Sequence, residues 1–202
     1  MSTNSAMDSL QTVTRCDWAQ GEDRLMRDYH DHEWGTPLHD DNQLFELFIL
    51  ESFQAGLSWR TILHKRENFR KAFDGFNAQK MANYGEEKIE ELINNPGIIR
   101  NKAKIKAAIH NAQLFLRIQK EYGSFQKYIW QFVQHQAIQH HCKTSQDIPT
   151  STKESDEMSK ALKSLGFQFV GTTTCYAFMQ ASGMINDHIS TCFKATKKSL
   201  KS

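Results

Sequence analysis

Proline is nearly absent from this sequence, with three residues in 202, and glycine stands at only ten. Turn-dense all-β folds, collagen-like repeats and Pro-rich linkers use far more of both, so these are excluded. Long apolar runs are also missing. No stretch approaches the roughly 18 residues that a membrane span requires. The opening segment, MSTNSAMDSLQTVTR, has neither the apolar core nor the early basic cluster of a secretory leader. No charge of one sign prevails: 25 Lys and Arg stand against 23 Asp and Glu, a formal charge of +2. That excludes a histone-like polyelectrolyte and confines any nucleic-acid site to a local patch. Cysteines number four, at Cys16, Cys142, Cys175 and Cys192. An even count admits two disulfides. In a chain of this size without an export signal the thiols are instead expected to be reduced, in the cytosol, and each buried, reactive or metal-bound.

What is present is helical periodicity. A polar arm is expected over 1–14 and a frayed basic tail over 194–202, with one domain over 15–193 between them. From Asp41, DNQLFELFILESF places Leu44, Phe45, Phe48 and Ile49 on one face. The tetrad QAGL (54–57) breaks that helix, and Ser58 can cap the next, with Trp59, Ile62, Leu63 and Phe69 inward. Short helices follow over NAQKMANY and EEKIEELINN. A long one runs from Asn101 to about Tyr122, where Gly123 stops it. SFQKYIWQFV is a further short helix, and 134–154 read as an irregular surface connection. Ser155 is expected to open DEMSKALKSL, closed by Gly166. TTTCYAFMQASGM is the last helical pattern. With no long alternation of apolar and polar residues, the predicted class is all-α.

Two features carry chemistry. In LINNPGIIRNKAKIKAAI a glycine turn joins two apolar-faced helices, and the second begins with Arg100, Lys102, Lys104 and Lys106. Unsatisfied amides at such a start suit a phosphate, and the lysines read as phosphate binders on an exposed face. Ala103 is expected to pack the helix pair. An ordinary helix–helix corner remains the alternative. The second feature is the pair His188 and Cys192, four apart and so on one helical face. With Cys16 and His30 they make a possible closed, structural zinc set. His30-x-His32 and His140-His141-Cys142 compete with it.

Taken together, RCDW, YHDHEWG (29–35), ESFQAGLSW (51–59), KRENFRKAF (65–73), PGIIRNKAKI (96–105), GFQFVGTTTCYAFMQASG (166–183) and NDH (186–188) closely resemble the bacterial DNA-3-methyladenine glycosylase I family. The resemblance spans about Arg15 to Cys192. It implies the helix-hairpin-helix DNA glycosylase fold, with one structural Zn2+ per chain on Cys16, His30, His188 and Cys192 joining the N- and C-terminal regions. It implies a monomer acting on double-stranded DNA that contains alkylated adenine, with no membrane partner. The implied activity is excision of 3-methyladenine, leaving an abasic site. A non-catalytic zinc-containing DNA-binding protein of the same fold is the alternative.

The family's residues carry over as follows. Glu51 becomes the catalytic residue, reading the adenine edge. Trp59 and Tyr29 complete the pocket, with Trp18 at its mouth. Met26 stands where the family often has a second Tyr, and methionine offers soft apolar surface without a hydroxyl. Gln54, Gly56 and Leu57 form the loop that enters the duplex. Gly97, Arg100 and Lys102 contact the DNA backbone. Many members of the superfamily carry a catalytic Asp a couple of dozen residues beyond the hairpin, yet no Asp occurs between Asp74 and Asp147. An N3-alkylated adenine is already a cation and leaves as a neutral base. A pocket that recognises and extracts it is therefore expected to suffice, without a strong acid.

Overall fold

In the computed structural model, residues 13–195 are described. The arm and the tail expected from sequence therefore lie outside the described residues, apart from 13–14 and 194–195. Nine α-helices follow one another within that range. They are α1 (Arg24–His32), α2 (Asp41–Gln54), α3 (Trp59–Ala72), α4 (Ala78–Met81), α5 (Glu86–Asn94), α6 (Lys102–Tyr122), α7 (Phe125–Trp130), α8 (Lys153–Ser164) and α9 (Thr172–Ala181). None of them is long and apolar enough to cross a membrane.

The arrangement is built around α2. Its residues Leu44, Phe45 and Leu47 through Phe53 are all buried, as expected of a helix surrounded on every side. α3, α6, α7 and α9 pack against it. The caps follow the sequence. Asp40, Ser58 and Asn101 accept the amides of Gln43, Thr61 and Lys104 at the starts of α2, α3 and α6. Gly123 ends α6 at φ +84°. Asp41 accepts the amides of Phe125 and Gln126, at 2.9 and 2.8 Å, and so fixes the start of α7 on α2.

Two expectations change. α8 begins at Lys153 rather than at Ser155. Thr152 is its cap, and the Ser155 hydroxyl accepts the Thr152 amide in return, a reciprocal box that the sequence of small polar residues conceals. A two-residue parallel pair is also present, β1 (Ile138–Gln139) with β2 (Ile185–Asn186). Its first strand lies inside the expected irregular connection and its second just after α9, and the pair is too short to leave a periodic signal.

The last part of the chain closes over the first. Gly183 sits at φ +69°, and a Cβ there would lie 2.2 Å from the Thr36 carbonyl carbon. Only glycine permits this approach. Around it, Gly35 N–H donates to Gln180 O and Leu38 N–H to Ser182 O, both at 3.0 Å. The YHDHEWG segment is thereby seated on the end of α9.

Candidate active site and metal centre

α2, α1 and α9 converge on a pocket of about 390 Å³. Its lining includes Trp18, Met26, Tyr29, Glu51, Gln54 and Trp59, six of the residues singled out from sequence. Trp34, Ile148 and Gln180 also line it. Tyr29 and Trp59 have ring centroids 5.1 Å apart, and Trp18 lies 6.2 Å from Tyr29 and 5.2 Å from Trp34. The walls are thus aromatic faces. Met26 is buried among them.

Two polar atoms in this pocket lack partners. Glu51 Oε2 and Trp59 Nε1 are buried without a hydrogen bond. Buried polar groups are nearly always paired, so two orphans facing one space imply that a ligand pairs them. Glu51 is only 3% exposed and is no solvated helix cap. Burial pushes its carboxyl up to about 8, so without a counter-charge it stays neutral near pH 7. Tyr29 is likewise pushed well up, by burial first and then by Glu51 and Glu33. The site therefore joins a latent negative charge to a wall of aromatic rings. That combination suits a flat cationic heterocycle.

The loop after α2 leaves the pocket abruptly. Gly56 takes φ +78° with nothing within 4 Å of its would-be Cβ. Beside it, Leu57 is exposed, an apolar side chain standing free in solvent. Across the same surface lies the turn between α5 and α6. Gly97 fits there because a Cβ would lie 3.2 Å from Asn68 Cβ of α3. Arg100 and Lys102 are exposed.

Three readings of this joint are corrected. The Gly97 amide is not open, because it donates to Asn95 Oδ1 at 2.8 Å, and Ile98 N–H donates to Asn95 O. The amides left for an anion are those of Ile99 and Arg100 in the turn and of Lys102 and Ala103 in the first turn of α6. Lys104 does not lie on the exposed face. It is buried, and its Nζ donates to Phe53 O and Ala55 O at the end of α2, at 2.8 and 2.5 Å. Ala103 is exposed, and Ile105 takes the packing position. Lys106 pairs with Glu86 at 3.5 Å.

The second constellation is the set Cys16, His30, His188 and Cys192. All four are buried, with one ligand atom from each lying within 4.8 Å of the others. Cys16 Sγ and Cys192 Sγ both stand 3.5 Å from His188 Nδ1, and Cys192 Sγ stands 3.4 Å from His30 Nε2. Tetrahedral zinc at ordinary bond lengths separates S and N ligands by about 3.6 Å, so the donor set fits that ion. Each imidazole is turned by its other nitrogen. His30 Nδ1 donates to Asp31 Oδ1 at 2.8 Å, and His188 Nε2 to Trp34 O at 3.2 Å. Asp31 is itself gripped by Arg15, which lowers its carboxyl to about 2. This is the outer layer that metal-binding histidines need.

Burial pushes the Cys16 thiol up to about 12 and His188 down to about 4. Such surroundings disfavour lone charges and favour a cation that holds both thiolates. Gly35, at φ +71°, allows the backbone to lie against the His188 ring, 3.0 Å from where its Cβ would stand. The competing sets do not assemble among the described residues. His32 and His141 are exposed, and His140 instead bonds Asp187 at 2.7 Å. All four cysteines are free.

Sequence reasoning passed over Trp34, whose ring contacts both His30 and His188 and which also lines the pocket. Its place within YHDHEWG was the available signal. Gln180 had the same signal, standing within GFQFVGTTTCYAFMQASG, and Ile148 carried none.

Residues 18–195 match the family described as methyladenine glycosylase. The DNA-3-methyladenine glycosylase 1 of Escherichia coli K12 is 49% identical over 180 residues, covering 89% of this chain and 96% of that protein. The DNA-3-methyladenine glycosylase of Haemophilus influenzae is 45% identical, with coverage of 89% and 97%. A solved 3-methyladenine DNA glycosylase I from Staphylococcus aureus superposes with a TM-score of 0.87 at 35% identity, covering 92% of this chain and 98% of that one.

Proposed function

The chain belongs to the methyladenine glycosylase family, and we propose that it excises 3-methyladenine from double-stranded DNA as a monofunctional hydrolase. The observation that carries this reading is the pocket in which Glu51 Oε2 and Trp59 Nε1 lack partners between aromatic walls. Residues 15–193 act as the catalytic unit, a monomer of helix-hairpin-helix type working in the cytosol. Zn2+ is held by Cys16, His30, His188 and Cys192. When bound it staples the two chain ends and takes no part in the reaction.

The residues divide the work. Arg100, Lys102 and the open amides at the start of α6 hold a phosphate. Leu57 fills the gap in the duplex as the nucleotide turns out, with Gln54 and Gly56 shaping the approach. The alkylated base enters against Tyr29 and Trp59, and Trp18 and Met26 close the mouth. Its positive charge draws Glu51 into its ionised form, so the carboxylate contacts the adenine edge while the Trp59 N–H donates to it. The C1′–N9 bond then breaks. The electron pair leaves with the base, which departs neutral, and water adds its oxygen to C1′ and loses a proton to solvent. Ordinary adenine brings no charge, and burial keeps Glu51 neutral against it. The enzyme is therefore selective without supplying a strong acid.

The direct test is chromatography of bases released from alkylated duplex DNA, with borohydride trapping in parallel. Free 3-methyladenine without a trapped adduct is expected. A covalent protein–DNA adduct would instead make it a strand-cleaving enzyme.

Leu57→Ala is expected to weaken binding to duplex DNA carrying an abasic-site analogue by about tenfold, the effect of removing a buried apolar side chain. Fluorescence anisotropy checks this, and unchanged affinity with intact base release would move the wedge elsewhere. Binding is also expected to be nearly independent of sequence. The slope of log affinity against log salt should be on the order of −3 to −5, as few phosphates are neutralised. Lys102→Glu should weaken all duplexes about equally. A marked preference for one flanking sequence contradicts this.

A further inference from the structure

Two ammonium groups brace the loop 54–58 and the hairpin turn 95–101: one ties the start of α6 to the end of α2, and the other ties α3 to the hairpin turn. Lys104, in the first turn of α6, donates from Nζ to Phe53 O and Ala55 O, 2.8 and 2.5 Å away. Lys65, on α3, donates from Nζ to Pro96 O and Gly97 O, 3.2 and 3.3 Å away. The carbonyls that Lys104 takes lie at the C-terminal end of α2, where they lack intrahelical partners and the helix dipole favours a cation, whereas those that Lys65 takes lie in the turn beyond α5.

The bridged loop needs such a hold. Ala55 takes φ −45° and ψ 115°, so α2 ends without an ordinary glycine cap. Gly56 follows at positive φ with open space around it. The Lys104 bonds fall at Phe53 and Ala55, either side of Gln54, just before Leu57. On the opposite side, the hairpin turn already rests on α3 through the close approach of Gly97 to Asn68. Burying an ammonium is costly unless its hydrogen bonds are made, and Lys104 makes both with main-chain oxygens. Neither lysine lines the base pocket.

We propose that Lys65 and Lys104 are positioning residues that fix the phosphate-gripping hairpin and the Leu57 loop as one rigid unit, so that docking of the DNA backbone sets how deep Leu57 enters the duplex. The proposal rests on the glycosylase reading above. In it, recognition of the base and delivery of the base are separate. Glu51, Tyr29 and Trp59 recognise, and the lysine-braced pair of loops delivers.

The test compares Lys65→Met, Lys104→Met, the double variant and Lys65→Arg with the wild type. Four readouts are taken: binding of free 3-methyladenine by calorimetry, single-turnover base release from alkylated duplex, fluorescence of 2-aminopurine beside an abasic site, and the melting temperature. Each Met variant should lose roughly ten- to a hundredfold in release, the usual worth of a charge-assisted bond, and should show a reduced 2-aminopurine signal. Free-base binding should stay within about twofold of wild type, the pocket being untouched. The double variant should fall short of the product of the single losses, since both brace one junction, and Lys65→Arg should recover most of the release. If release and free-base binding fall together in step with melting temperature, the lysines are merely structural and the proposal fails. It fails also if folded variants release base normally. Should Lys104→Met not fold, the half-buried Lys65 decides by the same criteria. A wild type that releases no base overturns the glycosylase reading itself, before any variant is compared.

Discussion

Removing zinc with a strong chelator is expected to lower the thermal midpoint by more than about 10 °C. The four ligands come from the two ends of the described chain. Contacts between them span 172 residues, from Cys16 to His188, and 162 residues, from His30 to Cys192. Without the ion, these ends are held by hydrogen bonds such as Phe193 N–H to Thr14 O and Gly35 N–H to Gln180 O. Two thiols and two imidazoles then remain buried with no charge to neutralise. Structural zinc contributes folding free energy outright. In a domain of this size each kcal/mol shifts the midpoint by about 2–4 °C, so losing several kcal/mol gives the stated change. Cys192→Ser should reproduce most of it. Below the lowered midpoint, base release should fall much less than stability does, because no step of the proposed reaction uses the ion. Elemental analysis should find one zinc per chain. Metal-free purified protein whose melting ignores chelator would refute the assignment, as would metal that survives Cys192→Ser.

The second large effect is at Glu51. Glu51→Ala should slow single-turnover release of 3-methyladenine by about one to two powers of ten, the worth of one polar contact to a charged ligand. Binding of the free base should be lost in parallel. Glu51→Gln, which keeps size and an acceptor, should fall between Ala and wild type. An essential general base in a difficult hydrolysis would cost 10²–10⁴-fold, but here the leaving group is already activated. A loss beyond four powers of ten with base binding intact would mean that Glu51 performs the chemistry. No loss of either would remove the pocket assignment.

The same residue makes a stability prediction whose sign follows from burial. In the folded protein the Glu51 carboxyl stays protonated up to about 8, whereas it ionises near its ordinary 4.5 when unfolded. The unfolded chain therefore releases a proton that the folded one retains. Glu51 lowers stability progressively as pH rises from 4.5 to 8, and not below that window. Glu51→Gln has no such proton, so it should match wild type near pH 4 and exceed it by a few kcal/mol at pH 8. Urea titrations at the two pH values read this directly. In kinetics, wild-type kcat/KM should rise with pH toward 8 as the free enzyme ionises, while the Gln variant stays flat. Equal stability of the two proteins at pH 8 would show that the carboxyl is already ionised.

The helices from α2 onward were legible because their apolar residues recur at helical spacing, but α1 was not anticipated, being nine mostly polar residues with only Met26, Tyr29 and His30 buried. Ser58 and Gly123 could be assigned from residue type alone. The metal set was not legible from spacing: Cys16 and His30 stand fourteen apart, and nothing local links them to His188. The family resemblance selected them, and the fold supplied the reason in Gly35, Gly183 and the seating of α9. Lys104 shows the opposite failure. Among Arg100, Lys102 and Lys106 it reads as one more surface charge, because its partners are carbonyls about fifty residues earlier that only tertiary packing brings near. Ser155 was misassigned because Thr152 and Ser155 cap each other reciprocally. Trp34 was hidden by abundance, one aromatic in a motif already rich in them.

The seating of the last described segment on the first has a consequence for the nascent chain. Trp18 and Trp34 wall the base pocket, and they rest against His30 and His188. Half of that support, with Gln180 on α9, is translated only after some 160 intervening residues. A partly made chain can form α2 and present Glu51, yet its aromatic wall has nothing behind it. The pocket is thus among the last features to mature. Ribosomal products that stop before His188 would keep the hairpin proposed to grip DNA while lacking a finished form of the pocket proposed to receive a base. Such fragments would be expected to sit on undamaged DNA without processing it, which gives the cell a reason to clear them quickly.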